Sequence, residues 1–518
     1  MNEPSARPAP ETPEYWAISQ PDATAVIEAE KKLSYAELNV RANRLAAAFK
    51  NYGVRTGDIV AVRSQIRLEW PVISLALAKL ECQMLALNWR LTPKEVARIM
   101  TDSRPAGLVC DDADLPKLAL EVELSNLKFA IAIDGSSAGF QSYASIVAEQ
   151  DGSSPPAFFS RKPPPLILFT SGTTGEPKGI AIRPDDSKVT REYLADVRAT
   201  RPLAPGDVCL VSVPLHHAAG ATQVTDALKC GAMAVLLRRF DPQETLRVIE
   251  DHRVTQWFGV PTMYRRIAAL GEEIKRYDLT SLKQLGVGAA PVDRPLKQWI
   301  LDNLGSCLRE GYGSSEVGLA TSLPPEFQRE KMNSCGRPFR HVSISIRDGA
   351  GRSLPTAEHG EIWIKTPVAI RSYLHGPTFG SDLLDELGYF FTGDVGYLDD
   401  DGFLYICDRA KDMIISGGVN IYPAEIEAVL KEHPAIADCA VIGVPDNEFG
   451  EAVAAFCEIR PQVTFTPAAL LEWCAKGLAS YKRPKQIEVV EELPRNALGK
   501  ILKRELRATQ WRDRERSI

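Results

Sequence analysis

Short apolar runs of strand length punctuate the first half of the chain, at Ile59-Val60-Ala61-Val62, Ala106-Gly107-Leu108-Val109-Cys110, Leu166-Ile167-Leu168-Phe169 and Val208-Cys209-Leu210-Val211. Helical text lies between them. Ser34-Tyr35-Ala36-Glu37, for example, is a capping-box pattern that opens a helix with Leu38, Ala42, Leu45 and Phe49 on one face. Strand-length runs alternating with helices predict an α/β architecture. Further on, Gly360-Glu361-Ile362-Trp363-Ile364-Lys365 alternates and predicts a half-buried strand.

A chain of 518 residues is long enough for several cores, so more than one domain is expected. The formal net charge is -6 and no long Lys/Arg run occurs, which argues against nucleic acid as a partner. Ten cysteines are scattered singly, without a C-x-x-C pair or a Cys/His cluster at zinc spacing, so neither a disulfide framework nor a structural metal is expected. This usage fits a reducing cytosol. No window approaches the length of an apolar membrane span, which predicts a soluble protein, and residues 1–14 read as a flexible tail.

Directly after the apolar run 166–169 comes Thr170-Ser171-Gly172-Thr173-Thr174-Gly175-Glu176-Pro177-Lys178-Gly179. Such a segment has no core to build and many N–H and O–H donors to offer. Glycines permit tight turns, while amides, hydroxyls and one ammonium converge on an anion, so the segment reads as a phosphate-holding loop. It lacks the Walker A spacing. Pro-rich stretches at 153–156 and 162–165 lead into it as stiff linkers.

Four further segments follow in order: Gly311-Tyr312-Gly313-Ser314-Ser315-Glu316; Phe391-Thr392-Gly393-Asp394; Asp408-Arg409-Ala410-Lys411-Asp412 with Ser416 to Pro423; and Pro494 to Lys500. Together with the phosphate loop they resemble the motifs of the adenylate-forming superfamily, which holds acyl-CoA synthetases, luciferases and carrier-protein adenylation domains. The resemblance covers nearly the whole chain from Leu33 onward. It implies a large N-terminal domain of layered α/β subdomains with a β-barrel-like subdomain (15–410), followed by a small, mobile α+β C-terminal domain (411–518). The closing segment itself reads as a helix from Pro423 to His433, a strand from Cys439 to Val444, a helix from Pro467 to Gly477 and a basic tail.

The resemblance assigns roles residue by residue. Thr170, Ser171, Gly172, Thr173, Thr174 and Lys178 would hold phosphate. Tyr312 would stack on adenine against Gly288, Ala289 and Ala290, with Gly313 beside it, and Ser315 would reach the α-phosphate. Glu316 matches the acid associated with Mg²⁺, a hard cation suited to carboxylate and phosphate oxygens. Asp394 would accept hydrogen bonds from the ribose, with Arg409 opposite. Lys500 would bring its ammonium to the substrate carboxylate and α-phosphate, where negative charge gathers, and Lys503 and Arg504 read as exposed tail residues. Lys411 occupies the hinge position, and Gly417 and Gly418 would line the tunnel for the thiol of coenzyme A. His217 matches a position between acyl pocket and tunnel. Adjacent side chains such as His216 and His217 do not face the same way, and no third ligand is near, so the pair is not read as a metal site. Departures occur at Val419, where many relatives have Glu, at Ala289, where Gly is common, and at Ile182-Arg183-Pro184, where a Thr-His pair is usual.

These assignments imply an ATP-, Mg²⁺- and CoA-dependent acyl-CoA synthetase acting on a small carboxylic acid, without an integral membrane segment, and leave a homodimer open. No Arg or Lys lies in 217–226 or 286–291 to pair with a second carboxylate, so a monocarboxylic acid is expected. The polar Thr222-Gln223-Val224-Thr225-Asp226 tilts the expectation from a long alkyl chain toward an aromatic, alicyclic or otherwise functionalised acid, and the acids expected are medium-chain fatty, aromatic or alicyclic. The alternative is a stand-alone adenylation enzyme that loads a carrier protein.

Overall fold

The computed structural model describes residues 10–111, 115–149, 165–170, 178–409, 412–416, 419–446, 449–461, 463, 466–496 and 499–512. Helix α1 (Tyr35–Asn51) begins at the foreseen capping box, with both reciprocal bonds between Ser34 and Glu37 formed, and buries Leu38, Ala42, Leu45 and Phe49. The predicted short strands form at 59–63, 107–110, 166–170 and 208–211. They are distributed over two large sheets of nine and seven strands.

The seven-stranded sheet contains β1 (Leu166–Thr170), which leads into the phosphate segment, and antiparallel to it β2 (Lys178–Ile182), which leaves that segment. The nine-stranded sheet carries the rest of the nucleotide apparatus. At its centre four parallel neighbours stand in the order β6 (Leu308–Ser314), β5 (Gln284–Gly288), β4 (Gln256–Gly259) and β3 (Val208–Val211). Helix α2 (Ala218–Lys229) follows β3, and α3 (Pro261–Ala268) follows β4. The two faces of this sheet are distinct. Cys209 and Val211 of β3 share a core with α1 and with Ala221, Val224, Ala227 and Leu228 of α2. On the other face Leu210, Trp257, Leu285 and Val287 pack with α3.

A four-stranded antiparallel sheet comes next, including β7 (Gly360–Lys365), β8 (Phe390–Leu398) and β9 (Leu404–Arg409). The alternation in β7 misleads: Ile362, Trp363 and Ile364 are all buried. Arg347 and Phe391 cover the Trp363 face that alternation assigns to water, the guanidinium 4.6 Å from the indole centroid.

After β9 the chain builds a smaller α+β unit. Helix α4 (Pro423–Lys431) ends two residues before the predicted His433. The strand foreseen at 439–444 extends to β10 (Ile436–Asp446), paired along its length with β11 (Gly450–Ile459), because a long ladder satisfies backbone groups that alternation alone does not reveal. The helix Pro467–Gly477 forms with the predicted bounds, and α5 (Lys503–Gln510) closes the described chain. All ten cysteines are free, and no described helix is long and apolar enough to cross a membrane.

Candidate active site

The carboxyl ends of β6, β5, β4 and β3 form a row, the edge at which open α/β sheets present ligands. At β6 and β5, Gly311 is in register with Gly288, and a Cβ on Gly288 would stand 2.9 Å from the Gly311 carbonyl oxygen, so only glycine permits this approach. Ala289 follows at φ 66°, a left-handed conformation that explains why glycine is common here; Ala289 carries about 1 kcal/mol of strain. Ala290 is half-buried in the same turn.

Tyr312 points its hydroxyl at Asp394 and donates to Oδ2 at 2.5 Å. Burial and then the Asp394 charge push the phenol well above its ordinary pKa, so it stays a neutral donor. Asp394 is only 6% exposed and takes a second partner, Arg409 Nε, at 2.8 Å from Oδ1. The Asp394 amide donates to Thr392 Oγ1, and Arg409 Nη1 donates to the Thr392 carbonyl. The residues assigned to adenine and ribose are thus one hydrogen-bonded unit, joined by a Tyr–Asp bond between β6 and β8 that sequence spacing does not reveal.

Residues 171–177 lie outside those described, so Ser171, Gly172, Thr173 and Thr174 are not placed; Thr170 is placed by its backbone alone. Lys178 begins β2 with its ammonium 4.8 Å from the Tyr373 ring centroid. Burial and then the Glu316 carboxylate raise the Tyr373 hydroxyl, which puts Glu316 close to the same ring. Backbone bonds tie this corner together, from Leu374 N to the Gly179 carbonyl at 2.7 Å and from Ile370 N to the Glu316 carbonyl at 2.8 Å. The exit of the phosphate segment and the turn carrying Ser315 and Glu316, which follows exposed Gly313, therefore converge on residues 370–374.

At the end of β4, Thr262 meets the segment that carries Lys500. Its hydroxyl donates to the Gly499 carbonyl at 3.4 Å, and Arg495 Nη1 donates to the same oxygen at 3.2 Å. Gly499 has φ 75°, and a Cβ there would fall 2.5 to 3.0 Å from Thr262 atoms. The Lys500 amide donates to Asn496 Oδ1, and its carbonyl accepts from the Asn496 amide, closing a tight turn. Arg495 anchors that turn on Asp438 and Glu458. Burial opposes ionisation of Asp438, but Lys431, Arg265 and Arg495 outweigh it and hold its carboxyl down to about 2. Arg265 belongs to α3, so this charge cluster also joins the small unit to the large one.

At the end of β3, His216 and His217 precede α2, with His217 at its N-cap. Contrary to the expectation from spacing, the rings are together, centroids 4.3 Å apart and tilted by 48°, because both residues lie in the turn between β3 and α2, where neither strand nor helix geometry sets their directions. Burial and the Arg90 charge lower His217 to about 4, and burial and then the His217 ring hold His216 well below its ordinary value. Both imidazoles are therefore neutral near pH 7. Neither nitrogen of His216, nor Nε2 of His217, has a hydrogen-bond partner among the described residues. Arg90, from a segment remote in sequence, is a cation within electrostatic reach that a scan of 217–226 and 286–291 does not find. No group of three or more His, Cys, Asp or Glu suited to a metal occurs among the described residues.

Lys503 is not an exposed tail residue. Its ammonium pairs with Glu427 at 2.8 Å, and the Glu427 and Asp408 carboxylates outweigh burial to hold its pKa above the ordinary value. Asp408 in turn accepts from the Ala424 amide at 2.8 Å, and Arg507 pairs with Asp412. The sequence around Lys503 is basic and polar, and its partners lie about 75 to 95 residues away along the chain, so folding alone shows the burial. Lys411, Gly417 and Gly418 lie outside the described residues.

Comparison with known proteins agrees with this arrangement. The AMP-binding enzyme family matches residues 14–374, and the AMP-binding enzyme C-terminal domain matches residues 425–500. The fatty acid–[acyl-carrier-protein] ligase ScoC of Streptomyces coeruleorubidus is 32% identical over 529 aligned residues, covering 100% of this chain and 99% of ScoC. A feruloyl-CoA synthase of an Amycolatopsis species is 34% identical, covering 95% of this chain and 96% of its own. Among solved structures, ATP-bound MatB of Rhodopseudomonas palustris superimposes with a TM-score of 0.84 at 30% identity, covering 95% of this chain and 97% of MatB. The chain belongs to the AMP-binding enzyme family, within the adenylate-forming superfamily that its motifs resemble.

Proposed function

We propose that the chain is an ATP-dependent acid–CoA ligase that joins a small monocarboxylic acid to coenzyme A through an acyl-adenylate. One carboxylate oxygen attacks the α-phosphorus of ATP and pyrophosphate leaves; the CoA thiol then attacks the acyl carbon, and AMP leaves with the bridging oxygen. The observation that carries this reading is the docking of the Gly499-Lys500 turn on Thr262, midway along the strand-end row between the Tyr312–Asp394 unit and the histidine pair. In this reading Lys500 would reach the place where carboxylate and α-phosphate meet, and a preorganised ammonium at a dry site contributes on the order of 2.7–4 kcal/mol to such a step. Asp394 and Arg409 hold the ribose, Tyr312 and the 288–290 turn hold adenine, and neutral His217 borders acid and thiol without adding charge.

Glu316 would hold Mg²⁺ together with the phosphates of ATP, a single carboxylate being enough for an ion that keeps most of its ligands from phosphate and water, and its charge would offset that of pyrophosphate. In this reading the small unit begins at Lys411, turns about that residue between half-reactions, and brings Gly417 and Gly418 to the thiol path. Ten free cysteines suit a cytosolic location.

The ScoC relative favours one second reading, transfer to a carrier protein. A pyrophosphate-release screen with ATP, Mg²⁺ and a panel of acids, with and without CoA, separates the two. Multiple turnover only with CoA supports the ligase; release indifferent to CoA supports carrier loading.

A further inference from the structure

The helix Arg294–Asn303, which follows β5, buries Leu296, Lys297, Ile300 and Leu301 along one stripe, so a lysine stands in a core position. Lys297 is only 1% exposed. Its ammonium pairs with Glu310 of β6 and donates to two carbonyls further along the chain, that of Met332 and, at 3.4 Å, that of Ser334. Burial pushes the Glu310 carboxyl above its ordinary range, and the Lys297 charge opposes that rise. Well-packed apolar residues of similar volume often serve stability as well as a buried ion pair does, so the charges call for another reason. Where the three joined segments lead supplies one.

Glu310 stands two residues before Tyr312 on the same face of β6. Tyr312 is in register with Thr321, whose hydroxyl donates to the Cys335 carbonyl at 2.7 Å. Cys335 lies within electrostatic reach of Glu310, Lys297 and the Tyr312 phenol. The segment 332–336 is therefore fastened to the nine-stranded sheet twice, by Lys297 and by Thr321. Gly336 has φ 101°, and a Cβ there would fall 1.9 Å from the Ser322 carbonyl carbon, so the segment lies close against the strand Gly318–Leu323.

The same segment reaches the four-stranded sheet. Ser334 Oγ donates to the Leu404 carbonyl at 2.8 Å, the Cys335 amide donates to that carbonyl at 3.0 Å, and the Leu404 amide donates to the Gly336 carbonyl at 2.9 Å. Leu404 opens β9, which ends at Arg409, in register with Asp394 of β8. Lys297 thus sits at the seam where the sheet carrying Tyr312 is stitched to the sheet carrying Asp394 and Arg409. It reaches them through Glu310 and through the segment 332–336.

Within the ligase reading, on which this rests through the assignment of Tyr312 and Asp394 to the nucleotide, we infer that Lys297 is a positioning residue for nucleotide binding. Its bonds to Glu310, Met332 and Ser334 set the two sheets so that the Tyr312 hydroxyl meets Asp394. Without them the Tyr–Asp unit is no longer assembled before the nucleotide arrives, and binding must supply the ordering.

The test is a calorimetric titration of the full chain with AMP, and with ATP and Mg²⁺, which needs no knowledge of the acid. Lys297→Met alone leaves Glu310 buried without its cation, so the variant to use is Lys297→Met with Glu310→Leu, which removes both charges and every side-chain donor to the seam. Expected is an affinity for each nucleotide about tenfold or more weaker than that of the unmodified protein, at unchanged stoichiometry. Tyr312→Phe should weaken binding by about tenfold in the unmodified protein and by less than about threefold in the double variant, because the bond it removes is no longer preset there. Nucleotide affinity in the double variant within about threefold of the unmodified protein overturns the inference and leaves the ligase reading standing, as does an equal Tyr312→Phe penalty in the two backgrounds. A double variant that does not fold overturns it as well, since the pair would then serve stability and not position. Absence of binding of either nucleotide to the unmodified protein overturns the nucleotide assignment, and the inference with it.

Discussion

Replacing Gly499 by Ala should slow adenylate formation while sparing thioester formation. Two costs arise. Alanine at φ 75° is strained by about 1–2 kcal/mol wherever the turn keeps its shape, so this cost is common to docked and undocked forms and leaves the balance between them unchanged. The second cost belongs to the docked arrangement alone, where the new Cβ would lie 2.5 Å from Thr262 Oγ1, 2.9 Å from Cβ and 3.0 Å from Cγ2. Overpacking of this kind costs about 1–3 kcal/mol, which lowers the docked population, and the rate that depends on it, by about 3- to 80-fold where docked and undocked forms are near balance. Single-turnover pyrophosphate release reads the first half-reaction, and CoA consumption by a supplied acyl-adenylate reads the second. Thr262→Ala removes two of the three contacting atoms and should restore part of the first rate. Equal loss in both half-reactions, or no recovery with Thr262→Ala, would refute the reasoning.

Asp394→Asn should reduce kcat/KM for ATP by about 10- to 150-fold, since it weakens charge-assisted bonds to Arg409 and to the ribose; steady-state kinetics with varied ATP check it. Lys503→Met strips the cation from Glu427 and Asp408 and should destabilise the small unit by about 3–5 kcal/mol in denaturant unfolding, whereas an exposed tail lysine would give no change. His217, held down to about 4 against an ordinary 6.5, takes up its proton more readily when unfolded, so its stabilising contribution is complete above pH 6.5 and is lost as pH falls toward 4. A His217→Gln variant should therefore lose up to about 3 kcal/mol less stability across that window, as measured by unfolding at a series of pH values.

Local patterns were the legible part of this fold. The Ser34–Glu37 capping box, the short apolar strands and the helix at 467–477 depend on residues within a few positions of one another, and each forms where its pattern predicts. What required the fold is long-range. The burial of Lys503, the Tyr312–Asp394 bond, the approach of Arg90 to the histidines and the pairing of Gln256 with Gln284 all join segments far apart in the chain. The polar run 222–226 shows the same divide. Thr225 bonds back to the Ala221 carbonyl and Asp226 to Arg201, so only part of the polarity visible in the sequence is left for a ligand.

The central claim is that the acid's own oxygen passes to AMP. Turnover of a carboxyl-¹⁸O-labelled acid with ATP and CoA, followed by mass spectrometry of the products, tests it directly. The account predicts one labelled oxygen in the phosphate of AMP, one retained in the thioester, and Lys500→Ala lowering the appearance of labelled AMP by about a hundred- to a thousandfold. Unlabelled AMP, or ADP and phosphate as products, would contradict an acyl-adenylate mechanism.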